Sequence, residues 1–427
     1  MKKQLLLLTI ILTCMLFGSR SVSAESLRDY SGGWSPHVSD RVIARAAVGA
    51  LPKRLISSAF ILEKSGSVIL ASEEFAEYTV RPNGRDVKTE VVISFLQQAV
   101  PASCVDFDHI QGLPGGYIGG GTASPINVET IRDAAKFSDQ WAFEQIEHDP
   151  LKPRLEGDET LIAILDAFQS NSADIWDSPT ISHATPTNLL SVKPPNAPNV
   201  ELHGSLVTSL AQSVAPRSSI MQVSVLNEWG VGHLFGVIES LNFVFESFAH
   251  MPQEYLVINM SFGSDQADQC GIVEALLTAG RSRYNALYVA SAGNNSTSSV
   301  STAPLYPASS PQVIAVAAST NVKTLAFYSH NGDVMAPGGE LTNSMIQPCN
   351  RLNDVIIGYA PIELNQPPVI LCSIGTSFAA PLVAGLGATL FNASTPLAET
   401  VQKHIKKGAG QNGGVIDVAF SQAVLFP

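Results

Sequence analysis

The sequence predicts an α/β protein: a parallel sheet with helices on both faces, preceded by a small α+β N-terminal segment. Two observations carry this prediction. The first is a set of continuous apolar runs, Leu161–Leu165, Ile220–Val225, Tyr255–Met260, Ala286–Ala290 and Val313–Ala317. They show little period-2 alternation, as strands buried on both faces require. The second is the helix-like stretches that separate them, Gly204–Ala215, Gly236–Ala249 and Gly271–Tyr284. Strand alternating with helix implies parallel strands whose crossovers cover the sheet.

The N-terminal segment has a different texture. Between Glu25 and about Ile118 the apolar residues come in short alternating runs, such as Ser67–Ala71 and Glu90–Phe95, which read as strands with intervening helix. Ahead of it, Lys2 and Lys3 precede the apolar stretch Leu5–Phe17, and Val22-Ser23-Ala24 supplies small residues for cleavage. Residues 1–24 therefore read as a secretory signal, with an apolar stretch too short to span a bilayer comfortably. A lipoprotein reading through Cys14 is the weaker one, because Thr13 stands where Gly or Ala is expected. The glycines and prolines of Leu113–Pro125 mark a linker, placing residues 25–118 in an N-terminal unit, 119–136 in the connection and 137–427 in the main domain.

Composition narrows the function. A chain of 427 residues, 45% hydrophobic and 15% charged, builds a core. Its net charge of −12 offers no basic surface for phosphates, so nucleic acid is excluded as a partner. No later segment has the uninterrupted apolar length of a membrane span, so the expected location is secreted or periplasmic. Removing the signal leaves Cys104, Cys270, Cys349 and Cys372. Cys349 with Cys372 is the best pair, since it brackets one polar excursion, but four cysteines allow three pairings. No two cysteines have zinc-finger spacing, so no metal site is expected from them.

Three residues could carry chemistry. Asp166 directly follows the buried run Leu161–Leu165, His203 opens a helix-like stretch, and Ser377 precedes an apolar helix ending near Phe391. Singly, each has a structural reading: a turn residue, a buried histidine, a helix N-cap. Together they supply a weak nucleophile, a base to take its proton and a carboxylate to orient the base.

In chain order, five segments resemble the subtilisin-like serine peptidase family: Leu161–Asp166, His203-Gly204-Ser205, Val257–Gly263, Ala290-Ser291-Ala292-Gly293-Asn294 and Gly375–Pro381. Phe137–Trp141, Tyr306-Pro307-Ala308, Val313–Val316 and Met335–Gly338 add weaker matches, so the likeness runs from about Phe137 to the C-terminus. The resemblance implies a subtilisin-like fold with Asp166, His203 and Ser377 as catalytic triad and Asn294 as oxyanion donor. Ser261, Phe262 and Gly263 would pair with an extended polypeptide substrate, and Gly230 and Gly232 would form the facing edge of the cleft. It also implies that residues 25–118 are a propeptide, an intramolecular inhibitor until self-cleavage. Asn259 reads as a turn or cap residue, and His148, His183, His233 and His250 receive no role.

The chain departs from the family in three places. Ala167 and Phe168 follow Asp166 where a hydroxyl residue and Gly are usual, which puts triad alignment in doubt. Thr208 and Ser209 replace a small Ala-Gly pair. Between Ala211 and Pro216 the chain lacks the insertion that wraps calcium in many relatives, so that site is expected to be missing, although other acidic loops leave calcium open. No cofactor is required. An impaired, peptide-binding homologue is the alternative, motivated by Ala167-Phe168. An α/β-hydrolase esterase is disfavoured, because the order is Asp, His, Ser and no Gly-x-Ser-x-Gly elbow occurs.

Overall fold

In the computed structural model, residues 37–112 and 140–425 are described, apart from 71, 84–86, 152, 154, 171, 173–175, 177–179, 188, 192–198, 266–269, 295–302, 341–352, 362–367 and 392–396. The expected signal, the 119–136 connection and Cys349 lie outside the described residues.

The N-terminal unit comprises β1 (His37–Ala47), β2 (Arg54–Ile56), β3 (Phe60–Leu70), β4 (Glu73–Pro82), α1 (Thr89–Ala99) and β5 (Cys104–Gly112). The strands pair antiparallel in the order β2-β3-β4-β1-β5. Of the expected strand at Ser67–Ala71, Ser67 to Leu70 form the end of β3 and Ala71 lies outside the described residues, but Glu90–Phe95 is helical, within α1. Its β-branched Val91, Val92 and Ile93 imitate a strand. The buried residues Thr89, Val92 and Leu96 instead recur at helical spacing, and Val92 and Leu96 pack with Val42, Leu62 and Tyr78.

The main domain begins with α2 (Trp141–Gln145) and then alternates: β6 (Thr160–Ala167), β7 (Ile181–Ala184), α3 (His203–Val214), β8 (Ser219–Leu226), β9 (Val231–His233), α4 (Leu234–Phe248), β10 (Tyr255–Met260), α5 (Ile272–Tyr284), β11 (Leu287–Ser291), β12 (Val313–Ser319) and β13 (Val334–Pro337). The hairpin β14 (Ile356–Ala360) and β15 (Val369–Ser373) leads into α6 (Thr376–Leu390), α7 (Ala398–Gln411) and α8 (Val418–Leu425). Among the described residues, seven strands form a parallel sheet in the order β13-β12-β11-β10-β6-β8-β7.

Both faces of this sheet are covered. Ile162 and Ile164 of β6 point into a core shared with α3 and α6. Leu161, Ala163 and Leu165, their alternates, point into a second core shared with α4 and α5. The apolar runs lack polar alternation because neither side meets water. Strand order reverses at β6: the chain lays β7 and β8 on one side, then returns to lay β10 on the other. A cleft forms at such a reversal beyond the carboxyl ends of the strands, and Asp166 stands at that end of β6.

Two features join the units. β9 pairs antiparallel with β5, so a strand of the main domain becomes the sixth strand of the N-terminal sheet. Cys104, at the start of β5, is disulfide-bonded to Cys270, just before α5, with Cα atoms 5.6 Å apart. Nothing near either cysteine in the chain favours that pairing, which spans a separation of 166 residues. Cys372 is also disulfide-bonded.

Candidate active site

Asp166 and His203 are in contact. His203 Nδ1 is 2.7 Å from Asp166 Oδ1, and both are buried, at 4% and 0% exposure. The same carboxylate oxygen accepts the Ala167 N–H at 2.7 Å. Asp166 Oδ2 is buried with no hydrogen-bond partner among the described residues. The lost glycine does not matter: neither Ala167 nor Phe168 has positive φ. Phe168 instead fills the space beside Gly204, where an added Cβ would lie 2.5 Å from its ring and 2.6 Å from the Ala167 carbonyl. Glycine at 204 lets the first turn of α3 approach β6 closely enough for His203 to reach Asp166.

Thr208 and Ser209 are accommodated within α3. Thr208 Oγ1 donates to the Gly204 carbonyl and accepts from Gln222 Nε2, while Ser209 Oγ donates to the Leu206 carbonyl and accepts the Tyr359 N–H. Their hydroxyls are thereby satisfied inside the core, as buried polar groups must be.

Ser377, 2% exposed, is the second residue of α6 rather than its N-cap, a place taken by Gly375 at φ 148°. The helix explains the local geometry. Pro381 lacks the N–H that would bond the carbonyl four residues earlier, which belongs to Ser377. That carbonyl accepts the Ser261 hydroxyl at 2.8 Å, and the Ser377 hydroxyl donates to the Ser261 carbonyl at 3.2 Å. Asn259 Nδ2 in turn donates to Ser261 Oγ at 3.0 Å, a buried supporting bond in place of the expected turn or cap. The imidazole of His203 packs on Phe378, the residue after Ser377, with ring centroids 5.0 Å apart.

Asn294 is held by its oxygen. Its Oδ1 accepts the Thr376 N–H at 2.9 Å and the Thr376 hydroxyl at 2.8 Å. Its Nδ2 lies by Gly375, 3.2 Å from where a Cβ there would sit. The Thr376 hydroxyl also accepts the Gly293 N–H at 3.2 Å. The amide is thus fixed beside the first turn of α6, whose N–H groups lack intrahelical partners and favour negative charge.

The two expected cleft edges face each other across an extended strand from the chain itself. Gly112, the last residue of β5, exchanges hydrogen bonds with Gly263 at 3.1 and 2.8 Å and stands opposite Val231 on its other side. Gly232 pairs with Gln111. Gly230 lies outside the ladder, in the turn before β9, at φ 74°. The Phe262 side chain is buried in the core with α4 and α5, which leaves its main chain to the cleft.

One cluster carries no signal in the sequence. Arg41, Glu77 and Asp108 of the N-terminal sheet meet His233 at the start of α4. His233 Nδ1 is 2.8 Å from Asp108 Oδ2, and Asp108 Oδ1 accepts the Phe235 N–H at 2.9 Å. Arg41 Nη1 donates to Glu77 Oε1 at 2.9 Å, and Glu77 lies 3.7 Å from His233. Burial by itself would depress the His233 imidazole, but the Asp108 and Glu77 carboxylates outweigh it and hold it up at about 9. Burial pushes the Asp108 carboxyl up, and the His233 charge, the Phe235 N–H and Arg41 together bring it below its ordinary value. Nearby Glu239 is raised to about 7 by burial, despite a 2.7 Å bond from the Thr187 hydroxyl, with Glu77 pushing the same way. His233 is silent in the sequence because its partners lie over a hundred residues away. Among the described residues, Glu77, Asp108 and His233 also have a spacing that could hold a metal ion. Arg41 stands beside the same carboxylates and donates to Glu77.

The sequence profile of the Subtilase family matches residues 157–421. The chain is 31% identical over 209 residues to a subtilisin-like protease of Coccidioides posadasii, covering 48% of this chain and 46% of that one. It is 30% identical over 201 residues to Proteinase T of Parengyodontium album, covering 46% and 59%. The matches thus span about half the length of these relatives. The solved structure of a lanthipeptide protease superposes with a TM-score of 0.51 at 20% identity, covering 71% of this chain and 99% of that one, a likeness of fold.

Proposed function

Since this chain belongs to the subtilase family, we propose that it is an exported serine endopeptidase that cuts extended polypeptides through an acyl-enzyme. The observation that carries this reading is the buried His203–Asp166 contact at 2.7 Å, set against the first turn of the helix that bears Ser377.

In this reading Ser377 turns about its Cα–Cβ bond, leaves the Ser261 carbonyl and gives its proton to His203 Nε2 as it attacks the scissile carbonyl. Asp166 fixes the imidazole with its Nδ1 proton inward and stabilises the imidazolium that forms. The oxyanion is met by Asn294 Nδ2 and the Ser377 N–H, donors already oriented before reaction. His203 then protonates the leaving amine, and water repeats the sequence to free Ser377. Substrate main chain runs between Ser261–Gly263 and Gly230–Gly232, adding a strand to each edge. The N-terminal unit is the intramolecular inhibitor, a role supported by Gly112, which occupies that place. Export is supported by disulfide bonding at Cys104, Cys270 and Cys372, since such bonds persist in oxidising compartments. No helix among the described residues is long and apolar enough to cross a membrane. No cofactor enters the chemistry.

The unpaired Asp166 Oδ2 favours one other reading, a shell that binds peptides without cutting them. A fluorophosphonate probe decides. Labelling of the processed protein that vanishes in Ser377→Ala supports the peptidase; no labelling of processed, folded protein leaves the binding shell.

A further inference from the structure

We propose that the N-terminal unit stays on the enzyme after the chain is cut, and that full release requires a dithiol reductant acting on Cys104–Cys270. This rests on the reading of that unit as inhibitor. The covalent topology is decisive. β5 both carries Cys104 at its first residue and ends on Gly112 between the two cleft edges. Cys270 belongs to the main domain, beside α5. A break anywhere between Gly112 and Gln140 therefore separates the two units in sequence but leaves them joined through sulfur.

Such a tether changes the strength of inhibition. A strand that is cut but tied back presents itself at an effective concentration on the order of millimolar. Even a micromolar inhibitor would then leave roughly one molecule in a thousand open. Cutting alone does not activate this protein; cutting and reduction do.

The surroundings of the bridge suit its opening. Cys104 is partly exposed, whereas Cys270 is buried. Arg45 Nη1 donates to the Cys270 carbonyl at 3.0 Å and to the Gly271 carbonyl at 3.3 Å, while Glu73 holds the rest of its guanidinium. Cys270 also immediately precedes the N-cap of α5, Gly271. A thiolate of the reductant attacks Cys104 Sγ, and the S–S electron pair leaves on Cys270 Sγ, beside the N-terminal end of α5, which favours a thiolate. The reductant's second thiol then attacks the mixed disulfide and frees Cys104. The reductant is oxidised to its own disulfide, and its two protons end on the two cysteines.

The test uses the full chain and the Cys104→Ser/Cys270→Ser variant, each allowed to process, with dithiothreitol as reductant. Processed wild type should run as one species on a non-reducing gel and as two after reduction. Its rate on a quenched peptide should rise on the order of 10²–10³-fold with reductant at nanomolar protein, as the tether's effective concentration implies. The double variant should be active at once and gain nothing. Separation of the N-terminal piece from oxidised wild type, or a rate unmoved by dithiothreitol while the variant is equally slow, overturns the proposal. If no form cuts peptide or takes a fluorophosphonate, the peptidase reading fails instead. The tether is then decided separately: a Ser377→Ala chain with a foreign protease site inserted at 119–136 is cut with that protease and diluted. Co-elution when oxidised and separation when reduced supports it; separation when oxidised refutes it.

Discussion

The contact most exposed to test is the buried pair of Asp108 and His233, because it joins the two units and nothing in the catalytic chemistry depends on it. Asp108→Ala removes the carboxylate from His233 Nδ1 and from the Phe235 N–H at the start of α4. An imidazolium and a backbone donor are then left buried without that carboxylate. Breaking a buried pair from one side costs about 3–5 kcal/mol, far more than the net contribution of the intact pair. With an unfolding entropy of about 2.1 cal/mol/K per residue, this lowers Tm by roughly 5 °C for a chain of this length melting as one unit. The assay is calorimetry at pH 6 in a Ser377→Ala background, where self-cleavage cannot intervene. Asp108→Asn should fall between wild type and Asp108→Ala, since its amide oxygen still accepts from Phe235. Asp108→Ala with His233→Leu should recover part of the loss, because no charge is then stranded. A shift below about 1 °C, or a double variant worse than the two single losses added, would refute the reasoning.

Further expectations rest on the same geometry. Glu239 is raised to about 7 and His233 to about 9, so the stability each contributes is complete below its unfolded pKa and lost as pH rises through those values. Asp108 is lowered and has the opposite sign, so its contribution disappears only in acid. Melting of the Ser377→Ala chain should therefore decline between about pH 5 and pH 9, and Glu239→Gln should flatten the lower half of that decline; an unchanged profile counts against it. Asn294→Ala should cut kcat on the order of 10²–10³-fold with KM little changed, as loss of one oxyanion donor does, a magnitude measured on a subtilisin. Gly204→Ala should destabilise by about 1–3 kcal/mol through overpacking against Phe168 and the Ala167 carbonyl. Urea midpoints read this, and an unmoved midpoint would mean that the turn relaxes freely.

Local chemistry makes much of this fold legible from the chain alone. A strand buried on both faces announces itself as an unbroken apolar run, and Tyr255–Met260 is a strand with those same bounds. Asp166, His203 and Ser377 can be picked out because each sits at the end or start of such an element, where side chains of a parallel sheet converge. What stays hidden has a different physical origin. Glu90–Phe95 imitates a strand because β-branched residues on a short helix carry the same composition, and only the packing of Val92 and Leu96 reveals the period. The Cys104–Cys270 bridge, the His233 cluster and the bond from Ser261 to the Ser377 carbonyl depend on groups brought together from distant parts of the chain. No window of sequence contains them.

The same distinction between local and distant contacts explains how one cleft would serve both the proposed inhibitor and the proposed substrate. The edges at Gly263 and Gly232 meet Gly112 and Gln111 through main-chain groups, and Gly112 offers no side chain for a pocket to read. Main-chain pairing cannot distinguish the protein's own strand from a foreign one. Occupancy is then governed by local concentration and by whatever else holds the strand in place. Two things hold this strand: the buried pairing of Asp108 with His233, three residues before Gln111, and the sulfur bridge at Cys104. Both lie on β5, outside the part of the strand that a substrate would imitate. On the proposed reading, specificity for the inhibitor is therefore built beside the cleft rather than in it, which would leave the cleft open to any extended chain once β5 has gone.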